Sequence, residues 1–189
     1  VNYPNSLGIL YLCVTEYLGF QENSGEGKVM GLAAYGRPNW VDAFRRVLRL
    51  RPEGGLELDM ACFDVHLGKR HYVTPKFIRL FGPRRERESA IEQRHRDVAA
   101  SLQQVTEEAG LHMLDWLRTK TDGGTLCLGG GVALNSVMNG RLLREGPFDR
   151  LFVQPAASDA GCALGAALYV HHRALRRPER CAMDHAYWG

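Results

Sequence analysis

Apolar residues in the N-terminal part of the chain recur at steps of three and four, the spacing that places them on one face of an α-helix. This spacing predicts a helix over residues 6–20, with Gly19 as its stop, and a short second helix over residues 28–35. Asn39 is expected to cap a third helix, which ends near residues 51–52. The N-terminal quarter of the chain is therefore predicted to be helical.

The middle of the chain changes from extended to helical patterns. Gly54 and Gly55 are expected to turn the chain into two extended segments, residues 56–60 and 62–66, which form a hairpin. Residues 83–88 are rich in Pro and Arg and predict a surface loop or a subdomain boundary. Residues 89–120 then keep nearly helical apolar spacing, which predicts one long amphipathic helix or two in series.

The C-terminal part alternates short apolar runs with turns of small residues. A buried strand is predicted over residues 125–128, followed by three glycines and a helix over residues 132–144. A second strand over residues 151–154 leads through a turn at residues 155–161 into an Ala-rich helix over residues 162–171. Strands that alternate with helices in this way predict an α/β sheet.

The composition is that of an ordinary folded domain. The chain has 189 residues, of which 45% are hydrophobic and 24% are charged, and it fits one globular domain or one lobe of a larger one. Its formal net charge of +3 is small, so neither nucleic acid nor a membrane is expected as a partner. Six clustered arginines are expected to lie in solvated loops or helix ends, with a contact between domains as the alternative: Arg84, Arg85, Arg87, Arg176, Arg177 and Arg180.

The cysteines and the chain ends bear on location. No cysteine lies in a CxxC pair, so we expect small core side chains in a reducing compartment. The five are Cys13, Cys62, Cys127, Cys162 and Cys181. The N-terminus does not have the pattern of a signal peptide, and a cytoplasmic location is expected. Because the chain begins without Met and stops at Gly189 without an evident terminal element, we also expect it to be a fragment.

The run of glycines between the first C-terminal strand and its helix is a candidate nucleotide site. Gly129, Gly130 and Gly131 carry no β-carbon, so the backbone can approach a ligand closely, and the helix that follows presents unpaired amides to a phosphate. The alternative is a tight turn without a ligand, which is equally consistent with the pattern. The run matches neither the dinucleotide-binding nor the P-loop motif.

The turn after the second strand contains one acid among small residues. Asp159 either caps the helix that follows or binds a ligand, and capping is the commoner role for such a residue. Ligands in open α/β sheets gather beyond the carboxyl ends of the strands, where the two turns would lie together. This expected convergence favours a ligand.

The segment over residues 25–36 places two charges between glycines at a helix start. Glu26 could accept hydrogen bonds from sugar hydroxyls, and Lys28 could neutralise a phosphate or a carboxylate. A solvated turn whose Glu favours the helix N-terminus explains the same pattern. The seven histidines contain no pair four residues apart on a predicted helix, so no complete metal site is predicted.

Three of these segments together resemble the carbamoyltransferase family, which includes enzymes that O-carbamoylate nodulation factors and antibiotics. They are GEGKVMGLAAYG at residues 25–36, GGGVALN at residues 129–135 and PAASDAGCALGAAL at residues 155–168. The resemblance covers nearly the whole chain. It implies the C-terminal part of a catalytic domain related to tRNA threonylcarbamoyl-transfer proteins, with the α/β fold of actin, Hsp70 and sugar kinases (ribonuclease H-like).

The resemblance also implies how the chain is organised and what it binds. A helical insertion would span residues 83–121, and the nucleotide-binding part would span residues 122–175. Such enzymes make carbamoyl adenylate from ATP and carbamoyl phosphate in a C-terminal adenylating domain, and then transfer the carbamoyl group to a hydroxyl of a small molecule or sugar. The adenylating domain and an N-terminal lobe with a metal-binding histidine pair would lie outside this chain.

Roles for individual residues follow from the resemblance alone. The adenylate would be lined by Gly129, Gly130, Gly131, Val132 and Asn135, with Glu26 and Lys28 near its ribose and phosphate. Asp159 would bind a divalent metal, with iron as one candidate, whose other ligands lie outside this chain. One carboxylate does not hold a transition metal tightly, so we expect the chain alone to bind adenine nucleotide weakly and not to transfer carbamoyl groups.

Two alternatives remain open at this point. One is an ATP-hydrolysing or sugar-phosphorylating enzyme of the same fold, in which the γ-phosphate is the group transferred. The other is a lobe that binds nucleotide or a partner protein without turnover. Large uncovered apolar patches would indicate that another lobe covers this one.

Overall fold

A computed structural model describes residues 3–67, 70–180 and 185. The helices are α1 (Leu7–Tyr17), α2 (Glu26–Ala33), α3 (Val41–Val47), α4 (Pro75–Phe81), α5 (Gln93–Arg118), α6 (Ser136–Glu145) and α7 (Gly161–Tyr169). The strands are β1 (Leu48–Arg51), β2 (Gly55–Leu58), β3 (Thr125–Leu128) and β4 (Arg150–Val153). Short 3₁₀ turns lie at Met60–Cys62, Val65–Leu67 and Gly131–Leu134, and a π turn lies at Val170–Ala174. The chain is mixed α/β, as predicted.

The first two helices confirm the predictions with small shifts. The side chain of Ser6 caps α1 by accepting a hydrogen bond from the Gly8 amide (3.1 Å). The chain leaves α1 at Gly19, whose φ of 74° is a left-handed conformation that favours glycine. Helix α2 begins at Glu26, two residues before the predicted start.

The third helix and the hairpin differ from the prediction. Helix α3 ends at Val47, and the chain continues as β1, which pairs antiparallel with β2 in the register Leu48↔Leu58. Gly54 is the hairpin turn itself, with a φ of 65°. The hairpin therefore lies one segment earlier than predicted, and residues 62–66 are not its second strand.

The predicted cap of α3 was also wrong. Trp40 occupies the cap position, and no side chain makes a capping hydrogen bond there. The Asn39 amide instead donates to the Asp97 carboxylate on α5 (3.0 Å). Asn39 thus binds a residue of a distant helix instead of the backbone amides at the start of α3.

Helix α5 is a single helix of 26 residues and is the central element of the described structure. Its residues Val98, Leu102, Val105 and Ala109 belong to the larger apolar cluster, formed with α1, α3, α4 and the hairpin. Leu114 belongs to a smaller cluster with residues of β3 and α6. Helix α5, within the segment predicted as a helical insertion, therefore contributes residues to both apolar clusters and joins them. Nearly the whole circumference of the helix is buried over residues 97–106.

The arginines of the loop at residues 83–88 are less solvated than predicted. Arg84 forms an ion pair with Glu16 of α1, and both side chains are largely buried. Arg85 donates to the Leu18 carbonyl oxygen at the end of α1 (3.0 Å). These contacts explain why the loop follows α1 closely. The prediction holds for the exposed Arg87 and for the C-terminal cluster of Arg176, Arg177 and Arg180.

The second sheet consists of two parallel strands with one open face. Strands β3 and β4 pair in the register Cys127↔Phe152. Leu126 faces the smaller cluster, whereas Cys127 and Phe152 are exposed on the other face. Helix α7 has no buried residue although its sequence is mostly apolar. Since parallel sheets are normally covered on both faces, this surface is unusual for a finished domain.

Two of the described cysteines are buried in the larger cluster, and two are exposed. Cys13 and Cys62 are buried free thiols, as predicted, and burial raises their pKa to about 12 and about 11 respectively. Cys127 and Cys162 are exposed, which corrects the prediction of core positions, because they lie on the uncovered β3 face and on α7. Cys181 lies outside the described residues.

Among the helices of the described segments, none is both long and apolar enough to cross a membrane. Helix α5 has the length, but its arginines and carboxylates prevent it from lying in lipid.

Asp97 connects α5 to the loop between α2 and α3. Its Oδ1 accepts hydrogen bonds from the Arg37 amide (2.9 Å) and the Gln93 side chain (2.7 Å), and its Oδ2 accepts one from Asn39 (3.0 Å). Burial raises the pKa of Asp97, but these hydrogen bonds outweigh it and leave the pKa below its usual range.

We predict that Asp97→Asn lowers the free energy of unfolding at neutral pH by about 1–3 kcal/mol, because an amide cannot accept all three donors. Asp115→Asn, on the exposed face of the same helix, should change it little. Because the folded-state pKa of Asp97 is lowered, its stabilisation is present above the ordinary pKa of Asp and is lost as the pH falls through the folded-state value.

Urea unfolding of the three proteins across this pH range measures the effect. The difference between wild type and Asp97→Asn should shrink in acid. A difference that stays constant down to the lowest pH would contradict the role of the ionised carboxylate.

Candidate functional site

The two turns that follow β3 and β4 lie together, as predicted. The Gly130 amide donates to the Ala157 carbonyl oxygen (2.7 Å). A β-carbon placed on Gly131 would lie 3.5 Å from the Ser158 hydroxyl oxygen. The contact follows from the parallel pairing, because the carboxyl ends of neighbouring parallel strands meet at one edge of the sheet. We call residues 129–135 the glycine turn.

The backbone conformation of the glycine turn requires only one of its three glycines. Gly130 has a φ of 93°, a left-handed conformation, whereas Gly129 and Gly131 do not. A β-carbon on Gly129 or Gly130 would meet no protein atom within 4 Å. By contrast, a β-carbon on Gly161 in the second turn would clash with the Ala156 carbonyl oxygen. A tight turn therefore explains Gly130 and Gly161 but leaves Gly129 unexplained, and the space above it is open to a ligand.

The helix after the glycines is interrupted, which differs from the prediction of one helix over residues 132–144. Residues Gly131–Leu134 form a 3₁₀ turn, and α6 begins only at Ser136. The Asn135 side chain caps α6 by accepting from the Met138 amide (2.9 Å). One of the free backbone amides at the N-terminus of α6 is therefore already paired with a side chain of this protein. The amides nearest to the glycines belong to the 3₁₀ turn.

Asn135 is held in a buried network rather than pointing outward. Its side chain is 8% exposed and forms two hydrogen bonds with Gln103 of α5, which is 5% exposed. The Tyr11 hydroxyl of α1 donates to the same Gln103 oxygen (3.1 Å). Asn135 is therefore placed to shape the turn, and its side-chain amide is already used.

Val132 contributes an apolar anchor to the same turn. Its side chain packs against both apolar clusters. A β-carbon on Gly8 of α1 would lie 3.5 Å from the Val132 Cγ2 atom, which shows how closely α1 approaches. The glycine turn thus lies where the two clusters meet.

Helix α2 approaches this region on the face that carries Glu26 and Met30, whereas Lys28 lies two residues from Met30 and points to another side of the helix. The hydroxyl of Ser136, the first residue of α6, donates to the Met30 sulfur of α2 (3.8 Å). The Glu26 carboxylate accepts from the Asn23 amide (2.9 Å), so it supports the local turn as in the alternative interpretation. Lys28 is exposed, and no carboxylate within residues 3–67 and 70–180 pairs with it.

Electrostatics also connect Glu26 to the network. The pKa of Tyr11 is raised strongly, first by burial and then by the charges of Glu107 and Glu26. The phenol therefore remains protonated and acts as a hydrogen-bond donor. Glu26 lies close enough to act on a group that is two hydrogen bonds away from Asn135.

Asp159 is exposed near the end of the second turn, two residues before α7 begins, and does not cap this helix. Ala160 occupies the cap position, and no side chain makes a capping hydrogen bond there. The part of the chain that the structure describes contains no group of three or more His, Cys, Asp or Glu side chains that could hold a metal ion. Because a stable transition-metal site needs several protein donors, these residues do not fit a metal by themselves.

Comparison with known proteins agrees with the three sequence motifs. The family described as "Carbamoyltransferase N-terminus" matches residues 1–168. The chain belongs to the carbamoyltransferase family. Both turns of the sheet and the start of α2 lie within the matched residues.

Relatives of the chain within this family include two nodulation proteins. It is 43% identical over 192 residues to nodulation protein NolO of Bradyrhizobium diazoefficiens, covering 100% of this chain and 33% of that protein. It is 40% identical over 186 residues to nodulation protein NolNO of Sinorhizobium fredii, covering 98% and 26%. It is 47% identical over 197 residues to the uncharacterized protein sll1178 of Synechocystis sp., covering 100% and 32%. The chain spans about a third or less of the length of these three relatives.

Tyr11 and Gln103 were not among the site residues predicted from the sequence. The sequence contains one signal that bears on them, the small residues Ala99, Ala100 and Ser101 within the predicted long helix. Small side chains there allow neighbours on several sides, and a polar residue such as Gln103 in this stretch is therefore buried and needs partners. The partners themselves could not be identified without the tertiary structure.

We predict that chelation leaves the stability of this carbamoyltransferase chain unchanged. A metal bound only to the folded state would raise the unfolding temperature, and its removal by EDTA would lower it. The unfolding temperature of wild type should be the same with EDTA as with added Zn²⁺ or Fe²⁺. The same should hold for Asp159→Asn. A metal-dependent rise that Asp159→Asn abolishes would show that the chain holds a metal.

Proposed function

We propose that the chain forms the adenylate-binding part of an O-carbamoyltransferase. In this proposal the enzyme transfers a carbamoyl group from carbamoyl adenylate, made from ATP and carbamoyl phosphate, to a hydroxyl of a small-molecule or sugar acceptor. The observation that carries the proposal is the open glycine turn beside the second turn, in a chain of the carbamoyltransferase family. Backbone without β-carbons at such an edge lets a nucleotide approach closely.

The groups around the turn have matching roles in the proposal. Gly129 and Gly130 give the adenylate access to the backbone, and Gly131 and Val132 continue the same surface. Lys28 is an exposed cation without a partner in the described segments, and it is assigned to the adenylate phosphate. Glu26, which begins α2, is assigned to the ribose hydroxyls. Asn135 contributes by fixing the end of the turn.

The transfer itself is a balanced displacement at the carbamoyl carbon. The acceptor oxygen forms a bond to this carbon, the bond from the carbon to the AMP phosphate oxygen breaks, and the hydroxyl proton goes to a base. Backbone amides and Lys28 favour the reaction by stabilising charge on the departing phosphate. We assign no base among the described residues and no step to a metal.

The uncovered β3–β4 face and α7 belong to the same proposal. Phe152 is 52% exposed and Tyr169 is 67% exposed, and such apolar surface is typical of an interface. A pair of parallel strands needs further strands and a covering layer to be stable. We assign this surface to the other lobe of an actin-like catalytic domain, with an adenylating domain as a further part of the longer protein.

A second candidate function is nucleotide binding without turnover by this chain alone. It is favoured by the single carboxylate of Asp159 and by the uncovered face, since both leave a catalytic site incomplete. The two candidates predict the same nucleotide site, and in neither does the chain transfer carbamoyl groups unaided. They differ in whether the nucleotide bound at this site is the carbamoyl donor of a longer enzyme.

We predict that the chain binds ADP and that Gly129→Asp weakens binding at least about tenfold. The new carboxylate projects into the open space above the turn and repels the phosphates. Gly130→Asp is a poorer test, because its left-handed backbone would be strained as well. Isothermal calorimetry on the purified chain measures the affinity.

Gly123→Asp is the matched control for this experiment. Gly123 is exposed, has no left-handed φ and precedes β3, whereas Gly129 follows it. The control carries the same added charge at the opposite end of one strand and should bind ADP like wild type. Equal affinity of all three proteins, or no ADP binding by wild type, would count against a nucleotide at the glycine turn.

A further inference from the structure

A reciprocal pair of side-chain amides joins the end of the glycine turn to helix α5. The Asn135 Nδ2 group donates to the Gln103 Oε1 atom (2.9 Å), and the Gln103 Nε2 group donates to the Asn135 Oδ1 atom (3.1 Å). The two residues are 32 positions apart in the chain, and both are buried. Buried amides that satisfy each other fix both side chains in one orientation.

The remaining hydrogen-bonding capacity of Gln103 is also used. Its oxygen accepts from the Tyr11 hydroxyl (3.1 Å), and its amide nitrogen donates to the Glu107 carboxylate (2.8 Å). A reversed Gln103 amide would place its oxygen against this carboxylate and its nitrogen against the Asn135 nitrogen. The orientation of Gln103 is therefore determined, and with it the position of Asn135.

The glycine turn depends strongly on such anchors. Its glycines offer no side chains for packing, and glycine has more conformational freedom than any other residue. One end of the turn is held by the hydrogen bond from the Gly130 amide to Ala157, and the other end is held by Asn135. Val132 anchors the middle by apolar contact, and the Ala133 carbonyl oxygen accepts a hydrogen bond from the Asn139 side chain (2.7 Å).

The docking of α6 on α5 does not depend on the amide pair. Arg141 of α6 forms an ion pair with Glu107 of α5 (3.1 Å). A β-carbon on Gly110 would lie 3.1 Å from a methyl group of Leu142, so the two helices also approach closely where Gly110 permits it. Loss of the amide pair should therefore loosen the turn while the helices stay together.

We propose that Gln103, oriented by the Glu107 carboxylate, is a positioning residue that sets the conformation of the glycine turn for its ligand through Asn135. The role in ligand binding rests on the proposed function, whereas the role in holding the turn does not. Gln103 is buried and acts through Asn135, so it is not assigned a contact with the nucleotide.

Hydrogen exchange and ADP calorimetry on the 189-residue chain test this proposal. In Gln103→Met, which keeps the length of the side chain and removes its amide, the amides of the glycine turn should exchange at least about tenfold faster without ligand. Exchange in the β1–β2 hairpin should stay unchanged. ADP affinity should fall at least about tenfold.

Gln104→Met is the matched control, because Gln104 is the next residue of α5 and donates to Glu108 instead of the turn (2.9 Å). It should leave both the exchange of the turn and ADP affinity at wild-type values. A merely structural role of Gln103 would raise exchange throughout the chain, in the hairpin as much as in the turn, and that result would overturn the proposal. Unchanged exchange of the turn in a folded Gln103→Met would also overturn it.

Asn135→Asp decides the question if Gln103→Met does not fold. It keeps an acceptor for the Met138 amide and for Gln103, and it replaces the donor to Gln103 with an oxygen that can carry negative charge. Faster exchange confined to the turn supports the proposal, and wild-type exchange overturns it. If wild type fails to bind ADP while Gln103→Met still loosens the turn, the nucleotide assignment is wrong and the positioning role stands.

Discussion

The burial of α5 on nearly all sides is the constraint on which the rest of the structure depends. Over residues 97–106 the helix is enclosed, so its polar side chains must find partners inside the protein. Asp97 binds the α2–α3 loop, Ser101 accepts from the Trp40 amide (2.9 Å), and Gln103 binds Asn135. Asp97 and Ser101 thus fix the segment between α2 and α3, and Gln103 fixes the end of the glycine turn. The helix organises its surroundings through a few obligatory hydrogen bonds in addition to apolar packing.

The elements predicted correctly from sequence are those whose signals are local. Helix α1 has a capping Ser6 and a stop at Gly19, and β3 and β4 are short apolar runs bounded by turn residues. The failure at Leu48–Arg51 has a physical reason, since leucines at positions 48 and 50 suit a strand and also continue the helical spacing of α3. Pairing with β2 decides between the two, and pairing is not visible in local periodicity.

The candidate site was predictable to the extent that topology determines it. Parallel pairing brings the turns after β3 and β4 together, so the contact between Gly130 and Ala157 could be expected from the strand pattern. The role of Asn135 could not, because its partner Gln103 lies on another helix and nothing in either sequence neighbourhood marks the pair. The open space above Gly129 is likewise a property of tertiary packing, and a tight turn alone does not require it.

The glycine turn lies between the packed network of α1 and α5 and the exposed face of the β3–β4 sheet. The turn is anchored on its inner side by the packed network of α1 and α5, and its sheet is bare on the outer side, where Cys127 and Phe152 are exposed. A ligand in the turn would therefore lie at the boundary between a packed core and an exposed apolar surface. A lobe that docks on β3, β4 and α7 would bury the outer face and approach the same edge of the sheet. Burial of the ligand and burial of the apolar face would then be one event, and each would stabilise the other.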